Sequence, residues 1–424
     1  MNSPIVITGM GIISPLGCGT QTVWRRLIAG KSGIRKLDRF NNIEMPVTIA
    51  GQVPTIEQDP KAGFDVTKVA TTKELRKIDR FTCFALAAAK EALTQANWFP
   101  ETEDDQAATA TVIATGIGGF TTITKAKETL DQRGFKRLSP FTAPAFLANL
   151  AAGNLSIKYG FKGPIGCPVT ACAAGVQAIG DGMRLIRNNE ADIALVGGAE
   201  ACIDPLSLAS FNALKALSLS DEPTTASRPF DKQRNGFVMG EGAGLMVIET
   251  LEHAKDRGAT PLAILSGYGT SSDAWHVTAG PDDGAGCARA INKALSTAGL
   301  SASEIEHVNA HATSTQVGDK AELAALRNVF ADSLPTIPVS ATKSATGHLL
   351  GAAGGIESIF TAMAIINGEL PPTLNMDEAD DAAHDMDLVP NISKKHTITH
   401  ALCNSSGFGG VNAALIVSHI NTVL

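Results

Sequence analysis

Three segments of this 424-residue chain place reactive side chains in turns of small residues. The first is Val169-Thr-Ala-Cys172-Ala-Ala-Gly175, a short apolar stretch running into a helix. A cysteine at that turn meets free backbone N–H groups and the positive end of a helix, which favour the nucleophilic thiolate. Cys18, Cys83, Cys167, Cys202, Cys287 and Cys403 carry no such signal and read as inert packing. The second segment, Val308-Asn-Ala-His311-Ala-Thr313-Ser-Thr315, ends a strand with a histidine and hydroxyls able to bind a polar group or exchange protons. His307 and His311 have the spacing of a helical zinc pair, but the segment reads as strand and lacks the glutamate of HExxH, so no metal is expected there. The third, Lys343-Ser-Ala-Thr-Gly347-His348-Leu-Leu-Gly351-Ala-Ala-Gly354, sets a lysine and a histidine before a helix, with Glu357 available to pair with Lys343. A glycine turn, Asn404-Ser-Ser-Gly407-Phe408-Gly409-Gly410, could build an oxyanion hole or only a tight hairpin.

Strands alternating with helices must position these groups. Apolar runs predict strands at Ile5–Thr8, Thr111–Thr115, Ile193–Val196, Leu245–Ile248, Leu262–Ser266, Ile305–Asn309, Ile337–Ser340, His400–Asn404 and Ala413–Ser418. Helical spacing predicts helices over Lys73–Trp98 with Thr72 as N-cap, Ala173–Asn188, Asp319–Phe330 and Gly351–Asn367. The alternation argues for α/β layers with largely parallel sheets. Val112–Gly119 and Val339–Gly347 echo one another weakly, each a strand followed by a small-residue turn and a helix. Gly9-Met-Gly11 follows a strand as a dinucleotide fingerprint does, but Ser14 replaces the third glycine and no acidic partner follows, so nucleotide binding is not expected. The acidic run Glu101–Asp105 reads as a solvated loop.

Charged residues are only 18% of the chain against 44% apolar, which excludes a disordered scaffold and suits much buried surface. A net charge of −7 gives no general attraction for nucleic acid. Seven irregularly spaced cysteines suit reduced thiols in a cytoplasm. The N-terminal segment has no leader pattern, and apolar runs are interrupted before about 18 residues, so no membrane span is expected.

Thr-Ala-Cys172, Asn-Ala-His311-Ala-Thr-Ser-Thr, Lys343-Ser-Ala-Thr-Gly-His348-Leu-Leu-Gly-Ala-Ala-Gly and Gly-Phe408-Gly-Gly together resemble the elongating β-ketoacyl-acyl-carrier-protein synthases, the synthase II class above all. Ser227-Arg-Pro-Phe-Asp231 and Gly240-Glu-Gly-Ala-Gly244 fit as well, and the likeness runs from Val6 to Asn412. The resemblance implies a thiolase fold, two βαβ-rich halves in a five-layer αβαβα arrangement, divided as 1–258 with the cysteine and 259–424 with both histidines. It implies decarboxylating Claisen condensation in fatty acid elongation, catalysed by Cys172, His311, His348 and Lys343. Glu357 would support Lys343, and Phe408 would contribute to the oxyanion hole and gate access. Thr313, Thr315 and Phe120 would bind substrate. It implies no organic cofactor, although some relatives hold a structural cation near the residues matching Asn309, Glu357 and Asn404. The implied partners are acyl carrier protein and a second copy of the chain. Departures from the family pattern are Ala173-Ala174 after the cysteine, Ala312 for a common glycine and Ser406 for a common phenylalanine.

Lys73, Arg76, Lys77 and Arg80 fall at i, i+3, i+4 and i+7 of the predicted helix, a stripe that is either a solvated face or a docking patch. The resemblance favours carrier docking for Lys73, Arg76 and Lys77. Three further readings stay open: a specialised paralogue with the same chemistry, a non-catalytic partner subunit, and a Cys–His hydrolase. Cys172 argues against the second, and two histidines plus Lys343 exceed the needs of the third. Degradative thiolases and initiating synthases fit poorly with Lys343 and His348.

Overall fold

The computed structural model describes residues 3–40 and 45–423; Met1 and Asn2, at the head of the segment read as leader-free, lie outside them. The main strands are β1 (Ile5–Ser14), β2 (Thr109–Ala114), β3 (Ile165–Gly166), β4 (Ile193–Glu200), β5 (Gly242–Thr250), β6 (Ala263–Ser272), β7 (His307–Asn309), β8 (Val339–Ser340), β9 (His400–Gly407) and β10 (Val411–Ser418). They form one sheet in the order β8-β7-β9-β10-β6-β1-β5-β4-β2-β3, with Gly17–Cys18 paired back onto β1. Every predicted strand is present. The sheet is mixed, however, and not largely parallel: β2 pairs parallel with β3 and β4, and β7 with β8 and β9, while β1, β5, β4 and β6, β10, β9 run antiparallel.

The order shows an internal repeat. The sequence β3-β2-β4-β5-β1 on one side recurs as β8-β7-β9-β10-β6 on the other. The halves meet where Ile5–Ile7 of β1 pair with Ala263–Leu265 of β6. The weak echo noted in the sequence therefore matches strands that are not equivalent. The true counterpart of the turn after β3, which carries Cys172, is the turn after β8, which carries Lys343 and His348.

Helices α1 (Arg80–Ala96), α2 (Phe120–Arg133), α3 (Ala174–Arg187), α4 (Ala285–Ala298), α5 (Gln316–Phe330) and α6 (Ala353–Asn367) complete the layers. α1 covers the outer face of the first half-sheet and α4 that of the second, with α5 packed on α4. α3 and α6 lie between the halves, in a core that joins residues of β1, β4, β5, β9 and β10. This is the five-layer αβαβα thiolase architecture. Residues 350–367 are long and apolar enough on average to span a membrane although Glu357 interrupts the run as expected, and 89% of the stretch is buried here as the central helix.

Two local details differ from the sequence reading. α1 starts at Arg80 and not near Lys73, because Asp79 caps it by accepting from Phe81 N and residues 72–77 form turns. The acidic run forms a short exposed helix, Glu103–Ala107, capped by Thr102. Gly9 and Gly11 serve packing: a Cβ there would lie 2.0 Å from the carbonyl oxygens of Ala92 and Ala88 on α1.

Candidate active site

The nucleophile sits on a strained turn. Ala171 has φ 49°, a left-handed value costly for a residue with a Cβ, and Cys172 follows it two residues before α3 begins. Its sulfur opens on a cavity of about 450 Å³ that His311, His348, Thr313, Thr315 and Phe408 also line. The structure corrects the expected thiolate. Burial pushes the Cys172 thiol up to about 12; Lys343 opposes the rise, and Glu200 and Glu357 add to it. The resting group is a thiol, because the surrounding protein costs the charged form more than the helix end and the nearest cation return.

His311 leaves β7 on a loop strapped to α5. Glu322 Oε1 and Oε2 accept the N–H groups of His311 and Ala312 at 2.7 and 2.6 Å, and Oε1 also takes Asn404 Nδ2 at 2.7 Å. One turn earlier, Asp319 accepts Ser314 N at 3.0 Å and Phe230 N at 2.9 Å, which holds Ser314 at φ 69°. The hydroxyls of Thr313 and Thr315 lie 3.1 Å apart on the cavity wall, and Thr315 also caps α5.

Lys343 reaches this loop from the turn after β8. Nζ donates to the His311 carbonyl at 2.5 Å, lies 3.4 Å from His311 Nδ1 and forms an ion pair with Glu357 at 2.6 Å. Lysine and glutamate are each 1% exposed. The ammonium faces Nδ1 as a donor, while the Ser405 hydroxyl, also 3.4 Å from Nδ1, has its one proton on the Cys172 carbonyl. Nδ1 is thereby fitted as an acceptor, which leaves the proton on Nε2. Burial, then Lys343 and His348, hold His311 well below the usual histidine range, so the ring is neutral. His348 is neutral for the same first two reasons. Its backbone is pinned to Val238 and Gly240, at 2.7 and 2.8 Å. Its ring stands edge-on to His311, centroids 5.4 Å apart, and neither of its nitrogens has a protein partner.

Phe408 tips the β9–β10 hairpin and tilts against Phe211 at 6.3 Å. The preceding Gly407 brings that hairpin onto the nucleophile turn: a Cβ there would lie 3.1 Å from Cys172 N and 2.9 Å from the Thr170 carbonyl oxygen. Ser405 Oγ ties the same contact by donating to Cys172 O at 2.9 Å. Phe120 begins α2 and packs in the apolar cluster around Cys172, although Gly116 and Ile117 supply the cavity lining on that side. Ser406 and Asn412 line the opposite end.

The helical frame of the cationic stripe is corrected, because α1 starts only at Arg80. Lys73 and Arg76 are exposed on turns, Lys77 lies over the Phe141 ring at 4.8 Å, and Arg80 turns inward to Glu241 at 2.9 Å. Lys73, Arg76 and Lys77 thus precede the helix that was expected to carry them. Sequence reasoning missed Lys215, which stands at the cavity mouth, and the buried carboxylates Glu200 and Glu322. A cation is compatible with the site. Asn309 Oδ1 and Asn404 Oδ1 are buried without donors, Asn309 Nδ2 bonds the Glu357 carbonyl at 3.2 Å, and the Glu357 carboxylate accepts no aligned hydrogen bond. Such oxygens suit a hard ion, which would hold the loops together.

Two family models match, the N-terminal domain of beta-ketoacyl synthase over residues 2–254 and its C-terminal domain over 262–377. The chain is 48% identical to a 3-oxoacyl-[acyl-carrier-protein] synthase 2 of Rhizobium meliloti, covering 97% of this chain and 98% of the relative. It is 42% identical to the synthase 2 of Staphylococcus aureus strain N315, over 98% of each. Among solved structures, the ishigamide ketosynthase/chain length factor superimposes with a TM-score of 0.90 at 34% identity, covering 99% of this chain and 100% of that one. A type II polyketide synthase acyl-carrier protein in complex with its ketosynthase gives 0.87 at 32% identity, with the same coverage. With a cysteine and two neutral histidines converging on one cavity and both family models matched, this chain belongs to the beta-ketoacyl synthase family.

Proposed function

We propose that this protein is a 3-oxoacyl-[acyl-carrier-protein] synthase that lengthens acyl chains by decarboxylating Claisen condensation. The convergence of Cys172, His311 and His348 on one cavity, with Lys343 and Glu357 behind them, carries the reading. Cys172 sulfur attacks the acyl carbon of a carrier thioester; the carrier's C–S bond breaks and its thiol leaves with a proton. Because the resting cysteine is protonated, a neutral imidazole of the cavity takes its proton during attack. Amides of Cys172 and Phe408 stabilise the tetrahedral oxyanion, a role that the close approach of Gly407 supports. Malonyl thioester then loses carbon dioxide, and its bonding pair becomes the enolate. His311 and His348 donate N–H bonds to the enolate oxygen. The carbanion attacks the acyl-cysteine, the C–S bond to Cys172 breaks, and the 3-oxoacyl product leaves behind a thiolate that takes up one proton from solvent to restore the resting thiol.

Thr313 and Thr315 orient the carrier's arm and Phe120 bounds the acyl pocket. Lys73, Arg76 and Lys77 serve an acidic carrier protein, whose arm passes Lys215. The complex formed by the polyketide relative supports that partner. The same reading makes the protein a cytoplasmic homodimer with halves at 1–258 and 259–424. α2, which buries none of its residues, and the exposed Ile157, Ile165 and Val169 beside edge strand β3 suit a subunit interface.

Intact-mass spectrometry with acyl-carrier thioesters tests the reading, beside a Cys172→Ala control and with malonyl-carrier protein added second. One acyl adduct on wild type alone, released as a product two carbons longer, is expected. No adduct at any chain length refutes it.

A further inference from the structure

Glu200 ends β4 and is fully buried, yet among the described residues it forms no ion pair. Four donors surround its carboxylate. Oε1 accepts Thr115 Oγ1 and Cys202 Sγ, each at 3.0 Å; Oε2 accepts the N–H groups of Gly116 at 2.6 Å and Gly351 at 3.0 Å. A buried carboxylate is tolerated only with such replacement of its hydration.

The donors belong to segments that wall the space around Cys172. Thr115 and Gly116 open the turn between β2 and α2, and Thr115 Oγ1 also accepts Gly118 N at 3.1 Å, which shapes that turn. The turn carries Ile117. Gly351 follows Leu350, which sits at φ 48° in the turn after His348. Ile117, Leu350 and Cys202 all join the apolar cluster that contains Cys172, and Ile117 and Leu350 also line the cavity. One carboxylate thus ties together two adjoining walls, one from each half of the chain, whose backbones touch: a Cβ on Gly351 would lie 2.1 Å from Gly116 N. A Cβ on Gly116 would lie 2.6 Å from Glu200 Oε2, so no side chain fits between.

We propose that Glu200 is a positioning residue that sets acyl-chain specificity, by fixing the separation of Ile117 and Leu350 in the wall of the pocket that the chain on Cys172 fills. This rests on Cys172 being the acyl carrier. Chain fit is sensitive to such a separation, because one methylene in an apolar pocket is worth roughly 10–200-fold in discrimination.

The test uses Glu200→Gln, which sets an amide N–H₂ against two of the donors, and Thr115→Val, near-isosteric, which deletes one donor and releases Gly118 N. Rates of Cys172 acylation are measured by intact mass with saturated acyl-carrier thioesters of increasing length. The readout is the long-to-short rate ratio within each variant, which an overall loss of activity does not move. A shift of that ratio by about tenfold in Glu200→Gln, and by a smaller factor in the same direction in Thr115→Val, is expected. A uniform fall across lengths, or an unchanged ratio, overturns the proposal. Should Glu200→Gln not fold, Thr115→Val decides alone. Failure of wild type to acylate at all refutes the synthase reading instead.

Discussion

Replacing Lys343 by methionine separates its two tasks. At 2.6 Å from Glu357, with both side chains 1% exposed, the pair attracts by about 6 kcal/mol at an effective dielectric near 20. Desolvation offsets most of that, so the measurable quantity is the cost of stranding one partner, about 3–5 kcal/mol. Lys343→Met strands Glu357, whose carboxyl burial already pushes above the usual range and which Lys343 holds down. We expect guanidinium unfolding to show that loss. Lys343→Met with Glu357→Gln removes both charges and should return stability to within about 2 kcal/mol of wild type. Decarboxylation of malonyl-carrier thioester should not return. The ammonium also holds the His311 carbonyl and faces Nδ1, which keeps the Nε2 proton aimed at the enolate oxygen. Losing one such oriented donor costs about 10²–10³ in rate. If the double variant regains both stability and decarboxylation, Lys343 is only a counter-ion and the argument fails. If the single variant loses under about 1 kcal/mol, the buried-pair argument fails.

Alkylation of Cys172 should rise about tenfold per pH unit through pH 9 without a plateau, since the thiol lies near 12; an inflection below pH 8 would refute the protonated resting state. Gly407→Ala should slow Cys172 acylation more than about tenfold by pushing the Phe408 hairpin off the nucleophile turn, and unaltered acylation would remove the hairpin from the oxyanion site. Buried His307 titrates near 3 when folded and near 6.5 when unfolded. The unfolded chain therefore binds the extra proton between those values, and stability falls by about 1.4 kcal/mol per unit of acidification there. His307→Gln should flatten that limb of the stability–pH curve, and an unchanged slope refutes the assignment.

Nine of the ten main strands were legible because each is an apolar run bounded by turn residues, although β1, β4, β5, β6, β9 and β10 extend beyond the runs read and the two-residue β3 was missed. α1 was read too long because apolar Leu75 and Ile78 continue the helical spacing of Ala85, Ala89 and Leu93, and spacing cannot reveal that Asp79 caps a later start. Cys172, His311, Lys343 and His348 stood out as reactive groups among small residues, and the cavity unites them. Glu200 and Glu322 did not, because a lone acidic residue closing an apolar strand or in the middle of a helix looks like a solvated one. Their burial depends on segments 85 and 11 residues away. The Cys172 proton was misjudged for a related reason, since local sequence displays the helix end but not the bulk of protein around the sulfur.

The layer order has a consequence for biosynthesis. α6 covers the inner face of the first half-sheet, and β6 pairs with β1, so the N-terminal half emerges from the ribosome with a broad apolar face bare. At roughly 5–20 residues per second, the stretch from Ala263 to the end takes on the order of ten to thirty seconds to synthesise. Throughout that interval the nascent chain is a substrate for chaperones or for its neighbours on the same polysome, and slow codons after residue 262 would lengthen the exposure.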